Sequence, residues 1–234
     1  MIRVIPAAQR HSADFGWLQT NWLFSFDQYY DPNNLQFGNL RVFNDDVVQP
    51  QTGFGTHPHR EMEIVTIVLS GAVTHQDSMG NHTKISAGEV QRMTAGAGIT
   101  HSEYNRESVP LHLYQIWFPP HTRRLVPSYE QQPFEASKLK NALHRVVSGN
   151  EDEGLIKIHA HASIYLSQLD PGVTVEHNLA TQRGAFVYVT EGVLDVNGIH
   201  LTKTDQARIE EEPLVRITAA EASRFILIDV DLAE

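Results

Sequence analysis

The 234-residue chain contains no cysteine. That excludes disulfides, thiolate-bound metals and cysteine nucleophiles, so any metal must be held by nitrogen and oxygen. No run approaches the roughly 18 apolar residues that cross a bilayer. The first residues, MIRVIPAAQRHSADFGWL, have no apolar core of the kind a secretion signal carries. The expectation is a cytoplasmic protein with no membrane partner. Positive charge is scarce: 18 Lys and Arg stand against 28 Asp and Glu, a net charge of −10. Such a chain does not hold a nucleic-acid backbone by general electrostatics, though a protein partner remains compatible with it. The 41% hydrophobic content excludes disorder, and the length allows one large domain or two small ones with a proper core.

Helical patterning is nearly absent too, PFEASKLKNAL (133–143) being the best helix in the chain. What recurs is short runs of β-branched and aromatic residues between turn signals. They include LRVFNDDVV (40–48), EIVTIVLSGAVTHQD (63–77) before SMGN, and LHLYQIWF (111–118). GAFVYVTEGVLDVNG, PLVRITA and RFILIDVDL repeat the style in the second half, so the chain reads as all-β. VLSGAV (68–73) and VTEGVL (189–194) align at an offset of 121 residues, which suggests an internal repeat. Under that offset Asn178 and Ala180 stand opposite His57 and His59, and Gly184 opposite Glu63. The Pro-rich stretch 119–134 reads as a linker between domains 1–133 and 134–234.

The chemistry gathers in two stretches. In GFGTHPHREME (53–63), read as one strand, His57, His59, Glu61 and Glu63 project from one face. Burying so many polar groups together is costly unless something binds them. In GAGITHSEYN (96–105), His101, Glu103 and Asn105 share a face after a glycine turn. Three histidines and a glutamate on two facing strands make a ligand set for one divalent transition metal. Imidazole and carboxylate suit Fe(II), and also Mn, Ni, Cu or Zn. Glu63 reads equally well as an acceptor that orients a histidine ring, and Glu61 as a solvated charge. His75, His82, His112 and His177 have no partner at ligand spacing and read as ordinary histidines. The aromatic run WLFSFDQYYDP (22–32) and Phe54 are candidates to line a ring-binding pocket.

Two glycine-bounded motifs carrying His-x-His and a later His resemble the cupin superfamily. Glu63 matches the glutamate of the first cupin motif, and His101 with Asn105 matches the end of the second. Glu63 to Gly71 is one residue longer than usual, and MTAGAG (93–98) stands where a proline is expected. FSFDQYYDP, GFGTHPHREMEIVT, HQDSMGN, AGEVQRMTAGAGITHSEYN and LHLYQIWF together resemble the pirin family. The resemblance implies a bicupin, two jelly-roll type β-barrels in tandem. It also implies one metal, Fe(II) foremost, held by His57, His59, His101 and Glu103 in the first barrel, with the second barrel metal-free. The activity it implies is oxidative cleavage of a flavonol such as quercetin by dioxygen, with release of carbon monoxide. Glu103 would be the general base and Glu63 a carboxylate beside the metal. The family's other reading is an iron-dependent, redox-sensing protein-interaction module without turnover.

Overall fold

The computed structural model describes residues 1–150 and 154–233. Among them are four β-sheets. A seven-stranded sheet runs in the order Ser128–Pro133, Glu89–Thr94, Glu63–Ser70, Leu111–Phe118, Val42–Val48, Leu18–Trp22, His11–Asp14. It stacks on a four-stranded sheet of Thr52–His59, Ile99–Asn105, Ala72–Asp77 and His82–Ser86. The second half repeats the plan. Its seven strands are Ile2–Ile5, Gln206–Ile209, Arg183–Glu191, Ser223–Asp231, Ala162–Leu169, His144–Ser148 and Ile156–Lys157. Thr174–Asn178, Leu214–Ala219, Val193–Val196 and Ile199–Thr202 form its smaller sheet. The result is two jelly-roll-like sandwiches in tandem, a bicupin whose sheets stay open at their corners and do not close into barrels.

Burial on both faces explains the nearly continuous apolar runs. In Arg183–Glu191, Phe186 and Tyr188 enter a core shared with Phe43, Tyr114 and Ile116 of the first half. Their neighbours Ala185, Val187 and Val189 point the other way, into a core with Leu194, Val196 and Ile217. Alternation decides which core each side chain serves. The two large sheets thus pack back to back. The ring of Phe186 lies 5.4 Å from that of Phe43 and 6.0 Å from that of Phe24. A buried polar contact accompanies them: the Tyr188 hydroxyl donates to Asp45 Oδ2 at 2.7 Å.

The aligned motifs are equivalent in space. Gly71 and Gly192 each turn the chain from a strand of the large sheet into a strand of the small one, with φ of 75° and 81°. Neither has room for a Cβ against the neighbouring backbone at Pro110 or Ala222. Two expectations change. The helix expected over 133–143 is a single turn, Ala136–Leu139, because Pro133 still belongs to a strand and Asn141 takes φ of 56°. The linker is shorter than 119–134, since Ser128–Pro133 forms the edge strand of the first large sheet beside Glu89–Thr94. Ile2–Ile5 fills the matching place in the second large sheet, beside Gln206–Ile209.

Because one aromatic core joins the halves, they should unfold together. Phe186→Ala is expected to lower stability by about 3–5 kcal/mol while urea unfolding of the wild type remains a single transition. Two separated wild-type transitions, by fluorescence and circular dichroism, would contradict the shared core.

Candidate metal centre

The residues 53–63 do not form one strand. Thr52–His59 ends at His59, the chain turns through Glu61 at φ 51°, and Glu63 begins the next strand in the other sheet. The one-face reading therefore holds for His57 and His59 and fails for Glu61 and Glu63. Thr52–His59 pairs antiparallel with Ile99–Asn105, placing His57 opposite His101 and His59 opposite Ile99. Between His101 and Glu103 the register shifts, so that Glu103 faces Phe54. A bulge of this kind re-aims side chains locally. Gly53 is needed there, because a Cβ would collide with the backbone of Glu103 and Tyr104.

Hydrogen bonding defines which ring nitrogens are free. His57 Nδ1 lies 2.8 Å from the Gly55 carbonyl oxygen, which can only accept, so Nδ1 carries the proton. A neutral His57 then keeps its lone pair on Nε2, which lies 3.1 Å from His101 Nε2. Adjacent ligands held at about 2.1 Å and roughly a right angle around one ion would be about 3 Å apart. His57, His59 and His101 bring ligand nitrogens within 4.8 Å of one another, and His101, Glu103 and His75 form a second group at the same limit. Glu103, 3% exposed, accepts from Gln115 Nε2 at 2.7 Å through Oε2, while its buried Oε1 has no partner. Gln115 is held in turn by Trp117 Nε1 at 3.1 Å. Facing ring nitrogens and an orphaned carboxylate oxygen fit a divalent cation.

Electrostatics favour the neutral rings a metal requires. Burial, reinforced by the His101 and His57 rings, pushes His59 down to about 4. Burial with the His57 and His75 rings takes His101 down to about 3. On the adjoining wall, burial pushes the Asp46 carboxyl up to about 7, against the hydrogen bond from Thr20 and with help from Asp45 and Glu103.

The cluster opens into a cavity of about 330 Å³. Its lining combines aromatic residues, Trp17, Trp22, Phe26, Phe54 and Trp117, with polar Asn44, Asp46 and Gln115. Trp22 and Phe26 of the run 22–32 thus reach the cavity. Leu23 and Phe24 belong to the core between the halves, and Tyr30 is exposed.

Other candidates lie elsewhere. Glu63 is fully buried, accepting from Thr94 Oγ1 at 3.0 Å and from the His159 backbone at 3.1 Å. Its partners are at the junction with the second half. Glu61 is bound by the Arg124 backbone N–H. Asn105, buried, donates to the carbonyls of Val48 and Val109 and closes the end of its strand. Three histidines read as partnerless each have a carboxylate: His75 with Asp77, His112 with Asp45, and His177 with Asp229. Only the His75–Asp77 pair lies within one strand, where the spacing i, i+2 could have revealed it.

The family description "Pirin" matches residues 5–118, and "Quercetinase C-terminal cupin domain" matches 145–230. Among curated proteins, a quercetin 2,3-dioxygenase of Escherichia coli K12 is 42% identical over 98% of this chain and 99% of its own length. A pirin-like protein of Caulobacter vibrioides is 40% identical over 98% and 99%. Among solved structures, the bacterial pirin YhhW of Escherichia coli in complex with nickel(II) superposes with a TM-score of 0.93. It is 41% identical, with 99% of both chains covered.

The depressed rings give the metal-free protein a pH signature. Unfolded histidines take up protons near 6.5, whereas His59 and His101 in the folded chain resist to about 4 and 3. Their contribution is fully present above pH 6.5 and is lost as pH falls toward those values. In EDTA-treated protein, urea midpoints should drop between pH 7 and pH 4.5, and His101→Gln should drop less steeply than wild type. The opposing effect of Asp46 is common to both proteins. Parallel profiles would refute the assignment.

Proposed function

The chain belongs to the pirin family, and from that premise we propose that it is a metal-dependent dioxygenase acting on flavonols such as quercetin. The observation that carries the reading is the juxtaposition of a His/Glu cluster, with free ligand atoms, and an aromatic-walled cavity. About 330 Å³ lies within the range of small-molecule sites.

In this reading His57, His59, His101 and Glu103 hold one metal, Fe(II) first among the candidates. A redox-active divalent ion would supply a Lewis acid that acidifies a hydroxyl group and a route for electrons to dioxygen. The protein's residues do the rest. Trp22, Phe26, Phe54 and Trp117 hold the flat substrate and keep water out. Glu103 accepts the proton of the substrate's 3-hydroxyl at Oε1, which has a second lone pair beside the one it would give the ion and no protein donor, Gln115 being engaged with Oε2. Glu63 is a poorer base because it does not line the cavity, its contacts being to Thr94 and the His159 backbone. Asn44, whose buried Oδ1 has no partner, and Asp46, protonated below about pH 7, offer an acceptor and a donor to the remaining hydroxyls. Oxidation by dioxygen then opens the central ring and releases carbon monoxide.

Residues 1–133 and 134–234 are the two proposed domains, with Ile2–Ile5 an arm of the first lodged in the second. Among the described residues, no helix is long and apolar enough to cross a membrane. A cytoplasmic setting, with a small aromatic molecule and dioxygen as partners, completes the proposal.

Two measurements test it. Iron-loaded protein should consume oxygen with quercetin and release carbon monoxide, and His101→Ala should not. Phe54→Ala should raise KM roughly three- to tenfold with little change in kcat, matching the loss of about 0.5–1.5 kcal/mol of ring contact. An absence of turnover at full metal occupancy would overturn the enzyme reading and favour metal-dependent binding of a protein partner.

A further inference from the structure

Behind His101, on the side away from the cavity, lies a pair of buried residues that the proposed chemistry does not use. His75 and Asp77 sit two apart on Ala72–Asp77, the strand next to Ile99–Asn105, with His75 opposite Glu103 and Asp77 opposite His101. Both side chains are 0% exposed. Resting on the metal-centre reading above, we propose that Asp77 and His75 form an outer arm of that centre. The arm locks His101 with its proton on Nδ1, so that the Nε2 lone pair is presented to the ion.

The proton inventory leads there in three steps. Asp77 Oδ1 accepts the backbone N–H groups of Met79 and Asn81 at 2.9 and 3.1 Å, and Oδ2 accepts Asn81 Nδ2 at 2.8 Å. A carboxyl surrounded by donors acts as an acceptor, so His75 Nε2, 3.1 Å from Oδ2, carries a proton and donates it. A neutral His75 then has a lone pair on Nδ1, and the atom facing it is His101 Nδ1 at 3.5 Å. His101 therefore donates from Nδ1, and its Nε2 is bare where it meets His57 Nε2.

The two rings are prepared in the same way by different acceptors. For His57 the acceptor is the Gly55 carbonyl, and for His101 it is an imidazole backed by a carboxylate. The second arrangement is the more polarising, because the negative charge of Asp77 is relayed through His75 and raises the basicity of the ligand nitrogen. Packing keeps the arm dry. The Tyr129 ring lies over His75 with centroids 4.9 Å apart, while its hydroxyl bonds Thr83 and Gln131 and does not compete for His75. His75 is a positioning residue: it acts on the metal only through His101.

The test compares His75→Phe with His75→Gln. Phenylalanine fills the space but neither accepts from His101 nor donates to Asp77. Glutamine can do both, with Oε1 and Nε2. Zn(II) affinity would be measured by competition with a chromophoric chelator, and folding of the metal-free variants by near-UV circular dichroism. His75→Phe should bind Zn(II) about 10–100-fold more weakly than wild type, and His75→Gln should recover most of the loss. Nitrogen-15 histidine spectra of the zinc-loaded wild type provide a readout that needs no variant. They should show the His101 Nδ1 proton hydrogen-bonded to a second ring nitrogen. Unchanged zinc affinity in a folded His75→Phe protein would overturn the proposal. So would an His101 Nδ1 that carries no such proton in the wild type, even if the variant failed to fold. A wild type that binds no zinc would instead overturn the metal centre itself.

Discussion

A lone pair buried in a β-sandwich must face something, and the interior of the first half is arranged around lone pairs that face one another. His101 and Glu103 are buried while His57 and His59 are half-buried at the cavity, and a polar group left unpaired away from water costs on the order of 1–3 kcal/mol. His57 and His101 nevertheless bring Nε2 atoms to 3.1 Å, and Glu103 leaves Oε1 without a donor. The surroundings settle every other polar atom of these side chains: Gly55 takes one proton, His75 another, and Gln115 fills the second carboxylate oxygen. A cation resolves the remainder in one stroke. The aromatic wall, the bulge opposite Glu103 and the side-chain-free Gly53 follow as means of holding the cluster open on one side only.

The two halves show how little of this is inherent in the fold. They share strand order and the glycine turn at Gly71 and Gly192, yet under the 121-residue offset Asn178 and Ala180 stand opposite His57 and His59 in the sequence. In the second half His177 and Arg183 both bind Asp229, at 2.7 Å each, so those polar groups satisfy themselves. One sandwich turns its polar side chains toward a common point, and the other closes them into ion pairs. Where chemistry can occur is thus decided by a few side chains on a repeated scaffold.

Much of this was legible from periodicity. Nearly continuous apolar runs such as GAFVYV mark strands buried on both faces, and parity in GITHSEYN puts His101 and Glu103 on one side. The limits of the reading are equally local. Parity presumes an unbroken strand, and the turn at Glu61 breaks the one that would have carried Glu63 to the metal. Partners supplied from a distant strand leave no trace in spacing, which is why the carboxylates of His112 and His177 were invisible. Asp77 is different. It stands two residues from His75, but spacing alone does not distinguish a buried pair from two solvated side chains. The pairing of Ile2–Ile5 with Gln206–Ile209 has no local signature at all.

That last pairing ties the order of synthesis to the order of assembly. A ribosome delivers Ile2–Ile5 some two hundred residues before Gln206–Ile209, so that strand has no edge to join until its partner has been made. The sandwich that carries the His/Glu cluster, by contrast, has every strand of its own by Pro133. Ile2–Ile5 thus works as a clasp, an early segment fastened late, that ties the second large sheet to a strand made well before it. A nascent chain can therefore possess the complete His/Glu cluster while its two halves are still unbuckled.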